Sequence, residues 1–157
     1  MLVRPIAPTD EDAYRTILEA TSAEDRYCRF FHFVDHFDPE EVHRFVEDRD
    51  DTIGVIAFDN TVPLGAAHAV LLDAESGEIA IVVARGTRHV GVGTALLDAL
   101  IERARERGLR RLVACALREN HPFEHLARHA GFRIDEADGA AVQWVLPLGA
   151  TDEVAAP

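Results

Sequence analysis

Between residues 78 and 104 the chain runs Glu78-Ile79-Ala80-Ile81-Val82-Val83, then Arg88-His89-Val90-Gly91-Val92-Gly93-Thr94, then Ala95-Leu96-Leu97-Asp98-Ala99-Leu100-Ile101-Glu102-Arg103-Ala104. The first piece is apolar and rich in β-branched residues, the signature of a buried strand. The third repeats its apolar residues at helical spacing. Gly91 and Gly93, set between the two, allow a tight turn and close approach of the backbone to a ligand. The N–H groups of such a turn sit at the positive end of a helix dipole, which suits a pyrophosphate. Arg88 adds a forked, permanently charged donor. A bare Gly-x-Gly is equally the mark of an ordinary strand-to-helix turn. Two phosphate motifs are excluded. The dinucleotide fingerprint needs Gly or Ala three residues after the second glycine, where Leu96 stands, and the Walker loop needs a lysine, of which the chain has none.

Length and charge narrow the field. The chain has 157 residues, 48% of them hydrophobic, enough for one domain with a proper core. No apolar run is long enough to span a membrane, and the N-terminus lacks a signal-peptide layout. Cys28 and Cys115 lie far apart, and Cys115 falls inside an apolar strand as a small core residue, so a cytoplasmic, disulfide-free protein is expected. The net charge of −12 argues against nucleic acid as a partner. Asp35, Asp38, Glu40, Glu41, Glu47, Asp48, Asp50 and Asp51 crowd one segment, as a solvated face or as a surface that steers a cationic substrate.

Element order is mixed α/β. Leu2 to Ile6 reads as a strand, and Thr9-Asp10-Glu11-Asp12 opens a helix carrying Tyr14, Ile17 and Leu18. Ser22 to Asp25 opens a second helical segment. Asp38-Pro39 opens a third, with Val42, Phe45 and Val46 on its apolar face. Thr52 to Phe58, Leu64 to Leu72 and Glu78 to Val83 form an antiparallel meander. A helix stopping at Gly108, a strand Arg111 to Leu117 and a helix led by Glu119-Asn120 follow. Phe132 to Glu136 and Ala141 to Leu148 close the chain as a hairpin around Asp138-Gly139. The domain is expected over residues 1–148, with a loose tail at 149–157.

With these residues in place, the chain resembles the GNAT superfamily of N-acyltransferases. Arg88-x-x-Gly91-x-Gly93 matches its acyl-CoA pyrophosphate loop, preceded at five residues by Val83, and Asn120 and Gly131-Phe132 fall where the family has them. Ala23 to Phe31, Gly77-Glu78-Ile79-Ala80, and Glu119-Asn120-His121-Pro122-Phe123 with Leu126 to Phe132 are similar to the bacterial Pat-type protein lysine acetyltransferase domains, although Phe123 replaces the usual Met. The resemblance implies a mixed, mostly antiparallel sheet of about six to seven strands, splayed between strands 4 and 5 and flanked by helices. It implies acetyl-CoA as cosubstrate, held by Ile81, Val82, Val83, Arg88, His89, Val90, Gly91, Val92, Gly93, Thr94, Asn120 and Phe123. It makes Glu78 the general base and a primary amine, a protein lysine first of all, the acceptor. A homodimer through the hairpin or the sheet edges is a further expectation.

The residues allow rivals. Glu78 on spacing alone is a solvent-facing residue at the start of a strand; with Ile79 and Ile81 beside it, a partly buried carboxylate of raised pKa is the sharper reading. His68 is either core packing or a cleft residue able to compete as base. The family often places a Tyr near the departing thiolate, where this chain has Ala127. A small-molecule amine, or a silent acyl-CoA-binding module, therefore stand as alternatives. His121, His125 and His129 share the i, i+4, i+8 spacing of a helix stripe, but no further ligands complete a metal set, so no metal is expected.

Overall fold

A computed structural model describes residues 1–21, 39–47, 50–86 and 91–149. The elements are β1 (Leu2–Pro5), a short 3₁₀ turn (Pro8–Asp10), α1 (Glu11–Glu19), α2 (Pro39–Val46), β2 (Thr52–Asp59), β3 (Val62–Leu71), β4 (Ser76–Val83), α3 (Val92–Glu106), β5 (Arg111–Leu117), α4 (His121–Ala130), β6 (Arg133–Asp138) and β7 (Ala141–Pro147). The second helical segment, expected from Ser22 onward, lies outside the described residues, as does the tail from residue 150. Among the described residues no helix is long and apolar enough to cross a membrane.

Seven strands form one sheet in the order β1-β2-β3-β4-β5-β7-β6. Every neighbouring pair is antiparallel except β4 and β5, which run parallel. This is the mixed, mostly antiparallel sheet expected from the sequence. Several strand boundaries shift by one or two residues, those of β3 and β4 among them. β4 begins at Ser76 instead of Glu78, because the turn before it closes earlier: Asp73 Oδ1 accepts from the N–H groups of Glu75 and Ser76 at 2.8 and 2.9 Å. β3 starts at Val62, directly after the turn in which Asn60 adopts φ 55°.

Each sheet face is covered by helices, as the alternation of its strands demands. On one face Ile53, Val55, Ala67, Ala69, Ile79, Leu112, Ala114 and Trp144 pack with Leu96, Leu97, Leu100 and Ile101 of α3 and Ala127 of α4. On the other, Ile56, Ala66 and Val82 pack with Tyr14, Ile17 and Leu18 of α1 and Val42 and Val46 of α2. Close approach of α3 explains Gly65: a Cβ there would lie 2.8 Å from the Val82 carbonyl oxygen and 3.0 Å from Leu96. The turn into α1 is held by Asp10, whose carboxylate takes a forked pair from Arg4 at 2.8 Å and the Ala7 N–H at 2.8 Å. The Arg4 guanidinium holds the Asp10 carboxyl below its ordinary pKa.

Candidate active site

The site begins with a failure of pairing. β4 and β5 are matched only at Ser76 with Arg111, Gly77 with Leu112 and Glu78 with Val113. Beyond that the strands part, although β4 stays on β3 as far as Val83 and β5 stays on β7 as far as Leu117. The fork opens a cavity of about 540 Å³, lined along β4 by Ile79 to Val83 and along β5 by Ala114, Cys115 and Ala116. That volume suits an extended small molecule.

Which main-chain groups face the fork follows from the ladder. Leu72 donates to Ser76 O and Ala84 donates to Leu64 O, each at 2.8 Å. The even-numbered residues between them are therefore the ones that bond β3, since hydrogen bonding alternates along an antiparallel strand. The N–H and C=O groups of Ile79, Ile81 and Val83 point the other way, into the cavity. They form an open sheet edge that an extended chain with amide groups can join as a further strand.

One end of the cavity is closed by the start of α3. Gly91 caps that helix with φ 86°, a left-handed conformation that a residue with a Cβ adopts only under strain. Gly91, Gly93 and Thr94 line the cavity. Val92 does not: it is buried among Leu96 and Leu97, so of the expected loop contacts it offers only its backbone N–H. Arg88, His89 and Val90 lie outside the described residues.

α4 forms the facing wall. Asn120 Oδ1 accepts from Phe123 N at 3.1 Å and caps this helix, with Pro122 in its first turn. The cap thus uses Oδ1 and leaves the Nδ2 donor for a ligand. Phe123 and Leu126 line the cavity between Asn120 and Gly93.

Glu78 sits at the crotch of the fork, on the α1 side of the sheet, and is exposed. Of its two readings, the solvent-facing one is met and the partly buried one is not. Its side chain alternates away from Ile79 and Ile81, which belong to the α3 face, so those apolar neighbours cannot desolvate it. Cys115 is corrected too. It was expected as a core residue, but the core positions of β5 are Leu112 and Ala114, and Cys115 is exposed on the opposite face at the fork. Although the residue is exposed, the atoms crowded around its thiol partly desolvate it, and this, with the Glu78 charge second, pushes its pKa up.

His68 is buried and stacks on Phe45 with centroids 4.1 Å apart, while Tyr14 meets it edge-on at 6.4 Å. Its burial and ring contacts fit the packing role of the two open to it. Ala127 is fully buried on the core side of α4, and Tyr14 is buried in the α1 cluster, so neither position brings a phenol to the cavity. Thr21, at the end of α1, lines it instead, next to the link from Arg85 N to Ala20 O at 3.0 Å. Sequence reasoning passed over Thr21, since nothing local tells that the end of α1 meets the end of β4.

A splayed β4–β5 pair, an open strand edge and a helix start capped by Gly91 together make an elongated cleft for a ligand with an anionic end. Residues 14–132 match the model of the Acetyltransferase (GNAT) family. The chain belongs to the GNAT family. It is an acyl-CoA-dependent N-acetyltransferase. The fold is similar to that of the GNAT domain of S. lividans PAT, with a TM-score of 0.85 and 27% identity over 93% of this chain and 89% of that one. It is also similar to a ribosomal-protein-alanine N-acetyltransferase from Brucella melitensis, with a TM-score of 0.74 and 25% identity over 94% of this chain and 100% of that one. YncA of Salmonella typhimurium, whose structure was determined with its cofactor acetyl-CoA, shares the fold at a TM-score of 0.73 and 20% identity, over 94% of each chain. The GNAT sheet and its fork are thus present in this chain, and the cleft just described is where this family's fold opens.

Proposed function

We propose that this GNAT enzyme moves an acetyl group from acetyl-CoA to the side-chain amine of a protein lysine, with Glu78 as general base. The observation that carries the reading is the position of Glu78. It stands at the last paired rung of β4 and β5, exposed and at the head of the open edge Ile79 to Val83. The likeness to the PAT domain over nearly the whole chain supports protein lysine as the acceptor.

The residues present fit the cosubstrate. The open edge at Ile81 and Val83 offers amide partners to an extended arm, Asn120 and Phe123 close over it, and the start of α3 at Gly91 to Thr94 offers N–H groups to phosphates. Acetyl-CoA supplies an activated thioester whose thiol is a fair leaving group near a pKa of about 8.5. A lysine amine, with an ordinary pKa of about 10.4, arrives protonated. Glu78 takes its proton, directly or through water; exposure lets the carboxylate return that proton to solvent. A main-chain N–H of the Ile81–Val83 edge, fixed by the β3 ladder behind it, donates to the carbonyl oxygen as charge grows there. Among the described residues no tyrosine is placed to protonate the departing thiolate, and water serves for this. The same reading places the enzyme in the cytoplasm, as a homodimer formed through sheet edges such as the fully exposed β6.

Thioester turnover against a panel of lysine peptides, N-terminal peptides and small amines tests the proposal. Lysine peptides should give the highest kcat/KM. A small amine far ahead of every peptide would move the acceptor to the small-molecule class, and binding of acetyl-CoA with no turnover on any amine would leave a binding module.

A further inference from the structure

α4 carries two rows of side chains outside the core, and they are treated differently. In one row His121 Nδ1 pairs with Glu124 at 3.4 Å, and Arg128 pairs with Glu124 at 3.2 Å while lying 5.0 Å over the Trp144 ring. The second row is Pro122, His125 and His129, and it lines the cavity. Among the described residues His125 and His129 have no hydrogen-bonding or ionic partner, in contrast to His121 and to His43, which contacts Glu11 and Glu47.

The position of that row is set by packing. Leu126, between the two histidines, lies 3.4 Å from where a Cβ of Gly93 would be. α4 is therefore seated on the first turn of α3, and both histidines line the same cavity as Gly93 and Thr94 of that turn. Among the described lining residues they are also the only side chains able to carry positive charge. This matters because the protein has a net charge of −12 and the expected donor is a polyanion.

We propose that His125 and His129 form a phosphate-recognition pair on the α4 wall, donating imidazole N–H bonds to phosphate oxygens of the acyl donor. An imidazole has an N–H to give in its neutral as well as its charged form, so the pair needs no particular protonation state. The spacing of four residues stacks the rings along one helix face, and together with the N–H groups of Gly93 and Thr94 they bracket an anion from two elements.

The inference rests on acetyl-CoA being the donor, and the test separates the two ideas. Affinities of acetyl-CoA, acetyl-dephospho-CoA and S-acetylpantetheine are measured by calorimetry or competition for the native chain, for a His125→Ala/His129→Ala double variant and for His125→Arg/His129→Arg. Both side chains are exposed, so the variants should melt like the native protein. The Ala pair should bind acetyl-CoA about 10–100-fold more weakly, S-acetylpantetheine unchanged, and the Arg pair should restore affinity. A loss kept with acetyl-dephospho-CoA assigns the diphosphate, and a loss that vanishes assigns the 3′-phosphate. Unaltered acetyl-CoA binding by the Ala pair, or an equal loss with S-acetylpantetheine, overturns the pair while the donor stands. Failure of the native chain to bind acetyl-CoA overturns the donor reading and the pair with it.

Discussion

Glu78 faces Val113 on the last rung at which β4 and β5 are joined, and two residues further along Ala80 and Cys115 already line a cavity. Glu78, the proposed base, is thereby fixed on hydrogen-bonded backbone at its own position while the space beside it is open. A carboxylate held on a strand loses little entropy when it meets its substrate, which favours positioning over burial as the source of its effect.

Replacing that carboxylate should separate chemistry from donor binding. Glu78→Gln is expected to lower turnover by about 10²–10⁴-fold, the usual contribution of a positioned base. The acetyl-CoA Kd should stay as it was, because the carboxylate meets the acceptor and not the phosphates. The residual rate should climb with pH as more amine is already neutral. Steady-state kinetics beside calorimetry decide it, and near-native turnover in a folded variant would remove Glu78 from the mechanism.

His68 offers the matching control. Its ring is packed between Phe45 and Tyr14, so His68→Ala should cost about 2–4 kcal/mol of stability by leaving a cavity. Turnover per folded molecule should fall far less than in Glu78→Gln. Loss of kcat with an unchanged Tm would hand the role of base to the histidine.

The start of α3 depends on backbone conformation. No atom lies within 4 Å of a Cβ built on Gly91, so crowding is no obstacle, but φ is 86°. Gly91→Ala should therefore cost about 1–2 kcal/mol through strain alone. If the helix start relaxes to relieve it, the N–H groups turn away and acetyl-CoA binding weakens as well. Thermal melts with and without acetyl-CoA measure both; equal stability and equal affinity would show that the left-handed cap is dispensable.

A clasp between α1 and α2 should be visible in the pH dependence of stability. His43 contacts Glu11 at 2.7 Å and Glu47 at 2.9 Å. These carboxylates raise the His43 pKa, and His43 with Arg15 lowers that of Glu11. A raised histidine contributes in full below its unfolded value of about 6.5 and loses its contribution as pH rises through the folded value. A depressed carboxylate contributes above its unfolded value and loses it as pH falls through the folded one. The clasp therefore works between the ordinary Glu11 range and the raised His43 value. His43→Gln should lower Tm in mildly acidic buffer, with the gap closing in alkaline buffer. A gap of constant size would rule out the ion pair as its cause.

Much of this protein was legible as sequence because its signals are local. The alternation of Ile79, Ile81 and Val83, the Gly91-Val92-Gly93 turn, the Asn120 cap and the Gly131 stop each depend on a few neighbouring residues, and the structure has strands, helix starts and a stop at those places. Element order then carried the resemblance to GNAT enzymes. What the chain could not show by itself is which strand edges stay unpaired and which side of each strand is covered, since both are set by residues distant in sequence. Glu78 was left open between a solvent-facing and a partly buried position, and its exposure follows because a strand sends neighbours to opposite faces. Cys115 was placed in the core by the apolar run around it, and the parting of β4 from β5 exposes it. His125 and His129 were seen only as a helix stripe; the seating of Leu126 against Gly93 turned that stripe toward the start of α3. Periodicity tells which residues share a face, and only packing decides what that face looks at.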